Sequence, residues 1–327
     1  MPIRFSDLDL YALLDADSDE AKTFTTYLGY WLCLAELVQR VHGDEPTASI
    51  LADLRQRKCF RSLQGRGSPR DPEQVRSLML NGWTSELRLH LIDLEDAGRL
   101  WIGNHGAPID AYYATSRMAS AWLLIRDGAV PETHAGLLRA VSALVTGQKL
   151  FPKPWDLTCD ALIPTPAYGG FPVPPEPCSN LSARVDVYDR SAMLLRTTRN
   201  RGVKAKVEEA KRKQKRGRAR AGERQRQDER MAATTVFDFA WRMRTRSNYG
   251  DPGMFHVGTL TGDRSRAYAA AVRAWTTATM GLFEAVIAQR AGSLLEESAV
   301  YFLTRDRSGI ADALLQPRLK AIGLLST

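Results

Sequence analysis

Asp110 to Val141 reads DAYYATSRMASAWLLIRDGAVPETHAGLLRAV. Asp110 is placed to open a helix over Ala111–Ile125, in which Tyr113, Met118, Ala121, Trp122 and Ile125 recur at helical spacing and form a core face. Gly128 turns the chain. Pro131–Glu132 and Thr133 then precede a second helix, His134–Val145, with Thr133 in the N-cap position. Two helices joined by a short turn set the expectation for the rest of the chain.

Working outward, Ser18 is placed to cap a helix over Ala21–Val41 with Tyr27, Trp31, Leu34 and Val38 on one face, ended by His42–Gly43. Ser68–Pro69 and Asp71–Pro72 punctuate before a helix near Glu73. Leu87, Leu91, Leu94 and Leu100 predict a stripe through Thr84–Ile102, and Gly106–Pro108 predicts a break. Thr235 precedes a helix over Val236–Met243, followed by a turn over Asn248–Gly258, a long helix over Arg264–Arg290 and a last one within Leu303–Leu325. Alternating strand patterns and fixed-period repeats are absent, so the expected class is all-α.

The 327 residues have an ordinary globular composition, 44% apolar and 25% charged, which excludes collagen-like, fully disordered and disulfide-scaffold proteins. Cys33, Cys59, Cys159 and Cys178 lack CxxC spacing, so neither a zinc site nor a disulfide framework is expected. The acidic N-terminus lacks the pattern of a signal peptide. The most apolar window, Tyr112–Ile125, is interrupted by Arg117 well short of the ~20 residues that span a bilayer. A soluble, cytoplasmic protein with no membrane partner is expected.

The net charge of +8 is unevenly placed. Arg184–Arg230 holds seventeen Lys and Arg against seven Asp and Glu, and the other residues together are slightly acidic. Within it, KAKVEEAKRKQKRGRARAGERQRQDER is rich in helix formers and has almost no apolar stripe. Two readings stand: a contact to RNA or DNA phosphates, carried by Arg212, Lys213, Lys215, Arg216, Arg218 and Arg220, or a solvated linker helix. Just before it, Phe151–Cys178 holds eight of the sixteen prolines, an extended connector whose Phe151, Trp155, Tyr168 and Phe171 would pin it along a surface.

Two stretches together carry a resemblance: the Tyr-Tyr-Ala helix with its Thr-His-Ala-Gly-Leu-Leu successor in Asp110–Val141, and RMRTRSNYGDPGMFHVGTL followed by AYAAAVRAWTTATMGLFEAVI in Arg242–Ile287. The pairing resembles the HEPN superfamily, within it the YaaC-like and UPF0332-like branches, over about a third of the chain. The resemblance implies a four-helix bundle, often dimeric, that acts on RNA or nucleotides. Its catalytic members cleave RNA without metal through an Arg-polar-x-x-x-x-His motif, some in toxin or antiviral-defence roles. Carried onto this chain, the motif arginine is Arg246, the polar residue Asn248 and the histidine His256, with nine residues between Arg246 and His256, more than the family's spacing. The implied organisation is an N-terminal helical extension (1–80), two halves of the bundle (81–150 and 233–327), a Pro-rich connector (151–183) and a basic helical segment (184–232). A homodimer or a partner in a defence complex is implied, with RNA, or DNA, held by the basic segment.

Internal RNA cleavage requires a proton carrier, which a histidine near pKa ~6.5 supplies, and a cation for the phosphorane oxygens, which an arginine fork supplies. Asn248 would orient a phosphate or the 2′-hydroxyl, and Tyr249 would stack on a base. No metal or other cofactor is called for. Each residue also has a structural reading: Asn248–Pro252 is a good turn sequence, Arg246 could tie to Asp251 or Glu284, His256 could fill a helix-entry loop, His134 could cap or pack, and His90 among leucines could be a core histidine. Trp275, Met280, Phe283 and Ile287 are core at helical spacing. A P-loop, a GxGxxG turn and a GxSxG elbow are all missing, and the adjacent pairs Glu208/Glu209 and Glu296/Glu297 point in different directions.

Overall fold

The longest helix, Gly262–Leu303, runs through the centre of the molecule, and the other helices are arranged on it. The computed structural model describes residues 4–9, 13–14, 19–63, 69–162, 187–214, 221–250 and 262–325. In chain order the helices are α1 (Asp19–His42), α2 (Pro46–Gln56), α3 (Pro72–His90), α4 (Ala97–Asp127), α5 (His134–Thr146), α6 (Val187–Lys213), α7 (Glu223–Arg230), α8 (Val236–Thr245), α9 (Gly262–Leu303) and α10 (Ile310–Ala321). Single turns lie at Phe5–Asp7 and Lys58–Arg61. β1 (Thr158–Cys159) and β2 (Thr234–Thr235) form a two-residue antiparallel pair, with Thr158 opposite Thr235. The fold is all-α. Among the described residues no helix is long and apolar enough to cross a membrane.

Local chemistry explains most boundaries. Asp71 accepts from the Gln74 amide and Pro72 stands in the first turn of α3, a position that tolerates its missing N–H. Thr133 caps α5 through the Gly136 amide. Thr235 and Asp238 form a reciprocal capping box on α8. Gly43 ends α1 with φ 74°, the left-handed region that favours glycine.

Packing overrode local signals in two places. The Leu87–Leu100 stripe is not one helix: α3 ends at His90, Leu91 is 54% exposed, and Asp96 caps α4 through the Gly98 and Arg99 amides. The break expected at Gly106–Pro108 does not occur, and α4 continues through Pro108. Burial of both Asn104 and Ala107 in the α4–α9 interface, with the Asn104 amide donating to the Ser265 carbonyl, holds the helix across the proline. The last helix, α10, lies within Leu303–Leu325 as expected; α9 itself extends to Leu303, bending at Ala291 (φ −141°, ψ 45°), and Asp306 then organises a turn before α10.

Burial joins these elements into one core. Trp31 of α1 meets Trp275 of α9 with ring centroids 5.4 Å apart, and Phe24 meets Tyr268 at 5.3 Å. Thus α1, in the segment read as an extension, lies directly against α9. Phe151 and Trp155, expected along a surface, are fully buried instead, and Trp155 donates to the Thr279 hydroxyl; Tyr168 and Phe171 lie outside the described residues. Gly281 marks the closest approach of α9 to α2: a Cβ there would stand 2.7 Å from the Thr47 hydroxyl oxygen.

A buried ion cluster and a histidine mark this core. Arg318 of α10 binds both Glu86 of α3 and Glu284 of α9, and Glu284 also accepts from the Trp83 indole at 2.9 Å. Glu284 is therefore committed to Arg318, not to Arg246. His90 is half-buried and shares a 3.1 Å hydrogen bond with the Thr277 hydroxyl. Burial pushes its pKa down to about 4, with Glu86 opposing and Arg273 and Arg318 adding to the drop. Unfolded, the same imidazole takes its proton near pH 6.5, so its contribution to stability is present above that pH and is lost as pH falls from about 6.5 toward 4. Replacing His90 with Gln is expected to remove that component. The check is the difference in Tm between wild type and H90Q at pH 7.5 and pH 5: it should change across that interval, and a constant difference would contradict the assignment.

Candidate functional site

The sequence Arg242-Met-Arg244-Thr-Arg246 closes α8, and helical geometry divides its arginines between two faces. Residues four apart share a face, so Arg242 and Arg246 project together while Arg244 points elsewhere. A single π turn, Arg246–Gly250, follows; such turns often occur at functional sites. It is fastened to α4: the His105 ring donates to the Ser247 carbonyl at 3.1 Å, and the Ser247 hydroxyl donates to the His105 carbonyl.

On the first face Arg242 lies over the Tyr27 ring, 5.2 Å from its centroid, and donates to the hydroxyls of Thr197, Thr198 and Tyr27. Arg201, one turn further along α6 and exposed, joins it. Among the described residues neither Arg242 nor Arg201 has a carboxylate in salt-bridge range. The Arg201 guanidinium is held below its ordinary value by burial and by the positive charges of Arg242 and Arg246. The Tyr27 phenol gives the complementary result. Burial raises its pKa, yet Arg242, Arg201 and Arg246 together outweigh burial and bring it below the usual value. Arg242 is thus in contact with the phenol, and the charges of Arg201 and Arg246 also act on it.

The second face is aromatic. Arg244 donates to the Tyr113 hydroxyl at 2.9 Å and lies 4.8 Å from the Trp241 ring centre. Trp241 stacks on His134, centroids 4.5 Å apart and planes 29° from parallel. His134 shares a 2.7 Å hydrogen bond with Tyr112. Burial, then Arg244 and Arg117, lower the His134 pKa, while burial raises the Tyr112 phenol, so both partners of this hydrogen bond favour their neutral forms. Exposed Arg117 lies over the Tyr113 ring at 5.9 Å.

No protein-family model, curated protein or solved structure matches this chain.

The structure brings some of the sequence-derived residues together. Arg246 begins the π turn beside the positive locus, and Asn248 is exposed two residues on. His256 lies outside the described residues, as does the Tyr249 side chain. Arg212 and Lys213 are exposed at the end of α6, where Lys213 pairs with Glu209 at 2.6 Å, while Lys215, Arg216, Arg218 and Arg220 lie outside the described residues. The basic segment as a whole is not a solvated rod. Val187–Val203 supplies a buried face including Met193, Leu194 and Leu195, and two of its arginines are internal: Arg190 pairs with Glu36 and Arg199 with Asp228. Beyond Val203 the helix is mostly exposed, and its cations alternate with Glu208 and Glu209, which pair with Lys211 and Lys213. Sequence reasoning missed Arg242, Arg244, Arg201, Tyr27 and His134 as site members; the alternating Arg-x-Arg-x-Arg at a helix end was the available signal. Among the described residues no cluster of three or more His, Cys, Asp or Glu is placed to hold a metal.

Proposed function

We propose that the protein binds single-stranded RNA along α8, its π turn and the solvent-facing end of α6. One observation carries this reading: Arg201, Arg242 and Arg246 concentrate positive charge around Tyr27, with no carboxylate in salt-bridge range of Arg201 or Arg242 among the described residues. Neighbouring like charges such as Arg201 and Arg242 repel one another, and the repulsion is relieved when an anion enters. Guanidinium forks suit phosphate oxygens. Arg117, Tyr113 and Trp241 on the adjoining face offer flat partners for unstacked bases, which single strands present and duplexes do not.

Fluorescence anisotropy with a labelled single-stranded RNA, titrated at several salt concentrations, tests the reading. Affinity is expected to fall steeply with salt, and replacing exposed Arg201 with Ala should reduce the slope of log affinity against log salt by about 0.7, the value for one phosphate on a single strand. An unchanged slope in Arg201→Ala, or no binding at low salt, would remove the site. Duplex DNA in parallel measures the single-strand preference.

A second reading, metal-independent cleavage of the bound RNA, is favoured by the π turn that sets Asn248 in solvent beside Arg246. Arg246 would stabilise the phosphorane and His256 would carry the proton. The expected result is cleavage in EDTA with cyclic phosphate ends, lost in both Arg246→Ala and His256→Ala. Binding without turnover would select a purely binding protein.

A further inference from the structure

A second feature is independent of the arginine face. A cleft of about 360 Å³ opens between α1, the α1–α2 turn, the end of α3 and α9, within the size range of small-molecule sites. Its walls are apolar: Phe5, Val38, Leu94, Ala270 and Ala274. Its polar groups are few and placed at particular points, which is how such sites fix a ligand's orientation.

The most consequential of them is Arg273. Its Nε donates to the Leu89 carbonyl at 2.9 Å and its Nη2 to the Ile92 carbonyl, so the guanidinium is anchored at the C-terminal end of α3. Among the described residues no carboxylate is in salt-bridge range of it. Burial holds its pKa below the ordinary value, with Asp93 opposing. A half-desolvated cation bonded only to neutral carbonyls, at the wall of an apolar cleft, leaves room for an anion to add a charge-assisted hydrogen bond. The other ionisable groups that line the cleft, His90 and Asp44, offer no competing cation. His90 is neutral near pH 7 and its Nε2 is engaged by Thr277. Asp44, at the α1–α2 turn, accepts from the Gln39 amide at 2.8 Å and would repel an anion from that end of the cleft.

We propose that this cleft binds a small amphiphilic carboxylate, its apolar body against Val38, Ala270 and Ala274 and its head group on Arg273. The proposal does not depend on RNA binding. Neutral and cationic amphiphiles of equal length fill the same apolar walls without satisfying Arg273, so they serve as the comparison.

The experiment is isothermal titration of the full chain at pH 7.5 with octanoate, octanol and octylamine. Octanoate is expected to bind about tenfold more tightly than octanol, the effect of one hydrogen bond between charged groups. Octylamine is expected to bind more weakly than either. Ala274→Trp, which fills the cleft from α9, should abolish octanoate binding while the far-UV circular dichroism stays unchanged. Arg273→Gln should bring octanoate down to the level of octanol. Equal binding of octanoate and octanol to the wild-type protein overturns the head-group assignment, even if Arg273→Gln fails to fold. Unchanged octanoate binding in a folded Ala274→Trp protein overturns the location.

Discussion

Replacing Arg318 with Leu is expected to lower the unfolding free energy by about 3–5 kcal/mol, a large part of the roughly 5–15 kcal/mol that holds a typical domain. The side chain is 4% exposed and its two partners, Glu86 and Glu284, are completely buried. Its guanidinium is bound to those carboxylates, Nε and Nη2 to Glu284 and Nη1 and Nη2 to Glu86. Leucine would leave two like charges together in the core, with only the Trp83 indole turned to one of them. Burial already raises the Glu284 pKa, Arg318 restrains it and Glu86 adds to it; without Arg318 the Glu284 carboxyl shifts further toward its neutral form. The deficit should therefore be smaller at pH 5 than at pH 7, because protonation relieves the orphaned charge. Urea midpoints of wild type and Arg318→Leu at the two pH values are the measurement. A loss below about 1 kcal/mol at pH 7 would show that the triad does not behave as a buried ion cluster.

The second large effect is expected at Arg199, which is wholly buried and reaches four acceptors. Nε donates to the Asp228 carboxylate at 2.6 Å, Nη2 to the Asp228 carbonyl at 2.6 Å, and Nη1 to the carbonyls of Cys159 and Ala232, each at 3.0 Å. Asp228 in turn accepts from the Leu162 amide at 2.8 Å. One side chain of α6 thus fastens α7, β1 and the approach to β2. Arg199→Leu is expected to cost about 3–5 kcal/mol, and Arg199→Lys should recover little of it, since an ammonium cannot reproduce the planar fork. Hydrogen exchange is the informative readout. Protection should collapse first in α7 and around Thr234–Thr235, while the amides of α9 keep theirs. Uniform loss of protection across the molecule would show that Arg199 holds the whole core instead of this one attachment.

How far the fold could be read from sequence depends on which force set each element. Capping chemistry is local, so Asp71-Pro72, Thr133 and Thr235 marked the starts of α3, α5 and α8 within a residue. Tertiary packing is not local: Pro108 signals a break, but the neighbouring α9 holds the helix through it. Leu91 completes a stripe by spacing alone, yet the chain has already left the helix. The helix α2 was passed over although Pro46 stands at its start, because its buried residues, Thr47, Ile50, Leu51 and Leu54, make only a short stripe. For the candidate site, Arg246 and Asn248 were legible as a motif. Arg201 and Tyr27 were not, since they join Arg242 only when α1, α6 and α8 are brought side by side. Net charge misled in the same way: counting Arg190 and Arg199 as surface cations overstates what α6 offers to a polyanion.

The anchoring of α6 has a geometric consequence for any long anionic chain. Arg201 stands at the arginine locus, and Lys213 lies twelve residues further along the same helix, a separation of about 18 Å at 1.5 Å per residue. That is more than twice the ~8 Å over which exposed charges feel one another at physiological salt. Lys204, Lys206, Lys211 and Arg212 fill the interval, so if RNA binds here as proposed, the helix is a ladder of cations whose two ends do not feel one another, and a strand too short to span it gains from only part of it.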